Sequence, residues 1–339
     1  MRKNSIFIST NKIFIIFLLL ILIGLILFSI TIGSVKIPIK DLVSILQGTN
    51  TDLSLNIIIF RLRLPRIIMA TITGGTLSVI GASLQALFRN PLADPYIMGI
   101  SSGAALGATS TFFLERITGK FFVFYLPFFS FFGALFAMFI VYRISLVGAK
   151  IVIENLLLSG VIVGFMASAL ITLIIAFAGK EIHDILFWLM GDLSHTTWQQ
   201  IFIIIGPIAF GIIYLLRLSQ DLNAISLGEE VAYNIGIDPE KLKRTIFFIS
   251  SFLIGCVVSF TGIIGFVGLI IPHIIRLMTG SDHKIVLPAS VFMGSIFLLL
   301  CDDLARVIIA PRELPIGVIT SLIGAPMFIY LLKRVGYNE

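Results

Sequence analysis

The 339-residue sequence predicts an all-α integral membrane protein, a single domain over 1–339 with about ten spanning helices in two inverted five-helix repeats. Three observations carry that reading. Hydrophobic residues make up 58% of the chain and charged residues 12%, with 30 Phe and a mean hydropathy of +1.09, so no polar segment is long enough to fold as a soluble domain. Uncharged runs of spanning length follow one another, and about 20 apolar residues at 1.5 Å each cross the roughly 30 Å hydrocarbon core. Finally, Arg63, Gly74, Ser78, Gly81, Pro91 and Gly99 recur in the same order and spacing as Arg244, Gly255, Ser259, Gly262, Pro272 and Gly280. Most of these are backbone-special residues. Five helices separate the copies, so the second runs opposite to the first.

The first helix is the apolar run from Ile13 to Ile32, too long for a signal-peptide core and without an A-x-A site, hence expected to be retained. The second runs uncharged from Ile67 to Phe88 behind the RLPR of 63–66. Tyr96 to Leu114 forms the third, where Gly99, Gly103 and Gly107 make a small-residue ridge that lets another backbone approach closely. Phe121 to Tyr142, Asn155 to Gly179 and Trp198 to Leu216 follow. Thr245 to Gly280 is too long for one crossing, and a break at Gly262, Gly265 and Gly268 divides it into the seventh and eighth helices. Ile285 to Cys301 and Leu314 to Leu332 complete the ten, leaving both termini on one side. With that side inside, Lys and Arg are modestly enriched there. Arg61, Arg63, Arg66, Arg306 and Arg312 fall outside, against the rule. They read either as snorkelling anchors or as a docking surface for an acidic partner.

The one substantial inner loop, 217–244, has too few and too interrupted apolar residues for a span. Gly228 divides two short helical pieces, Gly236 stands as a stop, and Asp238-Pro239 supply an N-cap and first-turn proline. It reads as a docking element or a solvated connection. The net charge of +6 sits at helix ends and loops without an aromatic-interleaved basic patch, which argues against nucleic acid. Four His lack metal-ligand spacing; His273 reads as packing, and His183 and His195 share an outer loop with Trp188 and Asp192, where a transient haem contact is conceivable. Cys256 and Cys301 lie in apolar runs as small hydrophobes. No GxxxxGK[ST] phosphate loop is present. No catalytic residue, metal site or cofactor is therefore expected on this chain. An ion-coupled secondary transporter would also fit ten helices and inverted repeats, but such carriers place ionisable groups within the membrane. Asp302 and Asp303 lie near the outer helix end, where they are expected to organise Arg306.

RLPR at 63–66, the run from Gln85 through RNPLADP, GISSGAALG, LGEEVAYNIG, GFVGLIIPHIIRL at 265–277, and DDLAR followed by ELPIGVITSLIGAPMFIYLL resemble the FecCD family, in order from about Arg61 to Leu332. These are permease subunits of binding-protein-dependent ABC importers for iron–siderophore, haem, cobalamin and related chelates. The resemblance implies the type II ABC importer permease fold and a homodimer with its pathway at the subunit interface. It implies two cytosolic ATPase subunits carrying ATP and Mg, and a periplasmic or lipid-anchored substrate-binding protein. It places the chain in a bacterial or archaeal cytoplasmic membrane with both termini cytosolic. Leu227, Gly228, Glu229, Glu230, Ala232 and Gly236 would couple to the ATPase, and Arg63, Arg66 and Arg306 would meet carboxylates of the binding protein. Glu154, Asn155, Ser159, Gly160 and Gly317 would lie on the pathway or gate, although Glu154 departs from the small hydroxyl residues expected there. Ferric siderophore is the first expectation for the substrate, with haem, cobalamin or an oxyanion as alternatives.

Overall fold

The computed structural model describes residues 2–33, 35–47, 53–120 and 122–335. The helices are α1 (Arg2–Thr31), α2 (Ile39–Leu46), α3 (Leu53–Ile57), α4 (Leu64–Leu87), α5 (Ile100–Thr118), α6 (Leu126–Ser145), α7 (Ile153–Phe177), α8 (Ile182–Leu189), α9 (Trp198–Arg217), α10 (Ser219–Leu227), α11 (Glu229–Asn234), α12 (Pro239–Thr261), α13 (Val267–Thr279), α14 (His283–Val307) and α15 (Ile316–Val335). A hairpin of β1 (Leu146–Val147) and β2 (Lys150–Ile151) links α6 to α7. Among the described residues seven helices are long and apolar enough to cross a membrane: α1, α3–α4, α6, α7, α9, α12 and α14. α5, α13 and α15, which are shorter or more polar, fall at the positions of the other three of the ten expected passes.

Three helices form the centre. The apolar window of α3–α4 is 83% buried and those of α12 and α14 67%, against 22–28% for α1, α6, α7 and α9. Lipid is as apolar as leucine, so close packing of small residues rather than hydrophobic exclusion holds such helices together. A Cβ on Gly81 would lie 1.8 Å from the Gly268 carbonyl oxygen, and one on Gly103 2.5 Å from that of Gly133. The expected ridge is therefore an interface: Gly103 and Gly107 meet the α6 backbone, and Gly99 meets α7 at Gly160.

Two faces define the polarity. The N-terminus of α4 lies beside the C-termini of α1 and α14, through Arg63, Arg66 and Arg306. At the other end of α4, Gln85 bonds Arg276 of α13, and the α14 N-terminus at Asp282 and His283 bonds Asn223 of α10. The α12 N-terminus joins that second face through Lys243 and Glu229, so α4 and α12 run antiparallel. Packing repeats with the inversion: α4 sits against α14 and α13, and α12 against α6 and α5. Gly74 accordingly meets Gly294 of α14, while its counterpart Gly255 meets Phe131 and Ala134 of α6. Residue-by-residue equivalence stops after Ser78 and Ser259, since Gly81 lies inside α4 whereas Gly262 follows α12 as its cap at φ 67°. Pro91 lies in a turn whereas Pro272 lies inside α13, and Gly280 follows α13 whereas Gly99 precedes α5. The structural counterpart of Gly99 is Phe266, which also sits in the left-handed region (φ 70°) immediately before its helix.

Broken helices leave backbone groups that must be satisfied inside a bilayer. Pro65 has no N–H for the turn before it, which is a π-helix over Ile58–Arg63, and the freed Phe60 carbonyl accepts the Trp198 indole at 2.7 Å. Pro272 likewise cannot bond Gly268, whose carbonyl together with that of Leu269 accepts from Gln85 Nε2. Between α12 and α13, the Tyr96 hydroxyl donates to the Ile264 carbonyl (2.6 Å) and accepts from its N–H (3.0 Å).

Candidate functional site

The loop face carries an element built for contact. In α10 and α11 the two short helices fall on either side of Gly228, whose φ of 134° favours glycine. Ile237 N–H bonds the Ala232 carbonyl and Gly236 N–H that of Tyr233, a Schellman end with Gly236 at φ 88°. The Asp238 carboxylate then caps α12 by accepting from Glu240 and Lys241, which stabilises such an end by about 1 kcal/mol. Ala232 is buried, whereas Leu227 is 74% and Tyr233 72% exposed, joined by Val231 and Ile235. Four large apolar side chains displayed on a polar loop form the kind of patch that marks a protein contact.

Behind this loop lies a network that sequence reading missed. Lys243 is buried and donates to Glu229 of α11 (2.8 Å), Glu240 (2.9 Å) and the Ile151 carbonyl (3.4 Å), while Glu240 also accepts from Ile151 N–H at 2.8 Å. Arg244 bonds the Ala149 carbonyl at the hairpin tip. The i,i+3 spacing of Glu240 and Lys243 was visible in sequence; the contacts across the loop and hairpin were not.

On the opposite face three arginines and three carboxylates cluster, two of the arginines pairing with them directly. Arg66 donates from Nε to both Asp302 oxygens (2.8 and 3.1 Å) and from Nη1 to Glu313. Arg306 pairs with Asp303 and lies 3.2 Å from Asp302, and it also bonds the Ser29 hydroxyl and the Ile32 carbonyl. Arg63 donates to the carbonyls of Ile30 and Val35. The expected ordering of Arg306 by Asp302 and Asp303 is present. Arg63, Arg66 and Arg306, expected to meet carboxylates of a binding protein, are 6%, 7% and 3% exposed with their donors turned into the chain. Desolvated guanidinium is costly without partners, and this cluster provides them while stapling α1, α4 and α14 together. Arg61 and Arg312 are the exposed arginines of this region.

A cavity of about 850 Å³ opens beside that cluster. Glu313 and Pro315, at the entry to α15, line it with His183, Trp188, Asp192 and His195, so the four outer-loop residues singled out from sequence do converge. The two imidazoles stand near neighbouring carboxylates, His183 3.7 Å from Asp184 and His195 3.9 Å from Asp192.

The pathway candidates divide. Glu154 is exposed and Asn155 half-buried at the start of α7. Ser159 is buried and donates to the Leu156 carbonyl at 3.0 Å, and Gly160 is pressed against Ile97 and Met98. Gly317 packs on Met190, to whose carbonyl it donates. Within this chain these last three are packing positions rather than an open lining. The outward face of α7 is instead apolar, with Leu158, Ile162, Phe165 and Met166 exposed.

The model of the FecCD transport family matches residues 19–334. The chain is 40% identical to an uncharacterized ABC transporter permease protein, YvrB, of Bacillus subtilis over 91% of this chain and 90% of that one. It is 40% identical to the cobalamin import system permease BtuC of Halobacterium salinarum, over 82% and 73%, and 33% identical to the hemin transport system permease HmuU of Yersinia pestis, over 94% of each. A solved ABC transporter of the metal-chelate type in an inward-facing conformation superimposes with a TM-score of 0.83 at 32% identity, covering 94% of this chain and 98% of that one. With the ten-helix inverted architecture and matches along nearly its whole length, the chain belongs to the FecCD transport family, as an ABC importer permease.

Proposed function

We propose that this chain is the membrane-spanning subunit of an importer for a metal chelate, a ferric siderophore before others, moved by alternating access between two copies of the chain. Two ATPase subunits dock on the loop face and a substrate-binding protein on the arginine face. The observation that carries the reading is the exposed apolar patch on the hinged 217–244 loop, which suits an ATPase contact, within a chain of this family. The apolar outer faces of α7 and α15 suit the second copy, and the loop face is the cytosolic one, which places both termini there. The chain itself carries no catalytic step; ATP and Mg belong to the partner ATPase.

Docking on the arginine face works differently from a row of free guanidiniums. Arg61 and Arg312 offer their charge directly, whereas Arg66 reaches a partner carboxylate only by releasing Glu313, itself one-third exposed and seated at the mouth of the cavity. A second reading, haem as substrate, draws on the convergence of His183, His195 and Trp188 on that cavity.

The test is a ligand screen on the binding protein that copurifies with this chain, using a ferric hydroxamate, haem, cobalamin and molybdate. Tight binding of the ferric hydroxamate supports the first reading. Selective haem binding supports the second, and selective molybdate binding would overturn both.

A further inference from the structure

Resting on that reading of the loop face, we infer that Lys243 is a positioning residue that carries movement of α11 to the start of α7, where Glu154 and Asn155 lie. The two sides of the loop are held by different partners. Helix α10 is packed against α4 and α14, and the Asn223 amide joins it to Asp282 (2.8 Å) and to the backbone of His283 (2.9 Å). Beyond Gly228, α11 packs chiefly on α10 and α12, with Ala232 buried beneath it and Glu229 reaching Lys243.

The same ammonium bonds the Ile151 carbonyl, and its partner Glu240 holds the Ile151 N–H. Ile151 closes the hairpin opposite Leu146, and α7 begins two residues later, with Leu156 N–H already bonded to the Val152 carbonyl. The polar path from α11 to the first turn of α7 thus passes through one buried side chain. Lysine suits the position because three rotatable donors on a compact charge can hold two carboxylates and a carbonyl from different directions at once. Two discrete arrangements of such a network, biased from α11, are the physical basis of coupling between sites.

The experiment uses the full complex of this chain with its ATPase subunits in proteoliposomes. Cys256 and Cys301 are replaced by Ser and a reporter is introduced as Asn155→Cys. The measured quantity is the ratio of labelling rates by a membrane-impermeant maleimide with and without ATP and vanadate. Glu229→Gln removes the charge from the α11 contact and leaves Lys243 on Glu240, while Lys243→Met removes the whole junction and Lys243→Arg keeps its charge. Both Glu229→Gln and Lys243→Met should reduce the nucleotide-dependent change at least about threefold, with Lys243→Arg retaining most of it. If Lys243→Met fails to assemble, Glu229→Gln alone decides, since a partly exposed carboxylate replaced by its isosteric amide leaves the fold intact. A wild-type response in Glu229→Gln and in every assembled Lys243→Met complex would overturn the inference. Absence of any nucleotide response in the wild type would instead overturn the loop-face reading beneath it.

Discussion

Asp302 is fully buried and shared by Arg66 and Arg306, so its charge is the one the arginine cluster can least spare. Replacing it by Asn leaves two desolvated guanidiniums under-compensated, and breaking such pairs from one side costs about 3–5 kcal/mol. Asp302→Asn should therefore lower the midpoint of thermal unfolding in detergent markedly. Glu313→Gln, whose group is one-third exposed, should change it little, which differential scanning fluorimetry on the two purified variants would check. The same comparison tests the docking account: freeing Arg66 in Glu313→Gln should speed association with the binding protein, while Arg312→Glu should slow it and weaken its salt dependence. Equal association rates for Glu313→Gln and wild type in stopped-flow measurements would argue against exchange at Arg66. At this scale the sequence marked residues that the structure brings into one cluster. Arginines against the inside-positive rule were visible. That Glu313 would join Asp302 and Asp303, and that the carbonyls of Ile30, Ile32 and Val35 would hold Arg63 and Arg306, was not, because those partners come from α1, the segment after it and the loop before α15, brought together only by packing.

Helix–helix contact in this chain depends on backbone proximity, and Gly81 against Gly268 is its tightest example. A methyl there cannot be absorbed by a flexible neighbour, because the opposing atoms are backbone. Gly81→Ala should cost about 1–3 kcal/mol or displace α13, and a stability scan with Gly119→Ala as the control, where a Cβ would meet open space but φ is positive, would separate crowding from conformational strain. The loop element makes a separate prediction. A bulky residue at Gly228 should lower substrate-stimulated ATP hydrolysis, while size-exclusion chromatography still gives the wild-type elution. Unchanged stimulated hydrolysis would remove the hinge from coupling. Helix spans, the Gly103 ridge, the Gly228 division and the Asp238-Pro239 cap were legible because hydropathy and backbone-special residues act locally. The extension of the second helix back to Leu53 through a π-turn was not, since Arg61 and Arg63 interrupt the apolar run there. Nor was the departure of Pro272 from its expected mate Pro91, since constant spacing says nothing of where one copy breaks its helix.

Across the whole molecule, the inversion of α4 and α12 places the arginine cluster and the 217–244 loop on opposite faces. Single cysteines should report this: Arg61→Cys and Tyr233→Cys, both exposed, should react with an impermeant reagent from opposite sides of sealed vesicles. Arg63 is unsuitable as a probe because it is buried. Ten helices with inverted repeats would serve an ion-coupled carrier equally well, so architecture alone does not name the energy source. Proteoliposomes containing this chain, its ATPase subunits and its binding protein decide between them, with uptake of the chelate identified by the screen followed under defined gradients. Uptake by an ABC importer should require ATP on the loop face together with both partner proteins and should persist when ion gradients are collapsed. Uptake by this chain alone, driven by a proton or sodium gradient and indifferent to ATP, would instead make it an ion-coupled carrier.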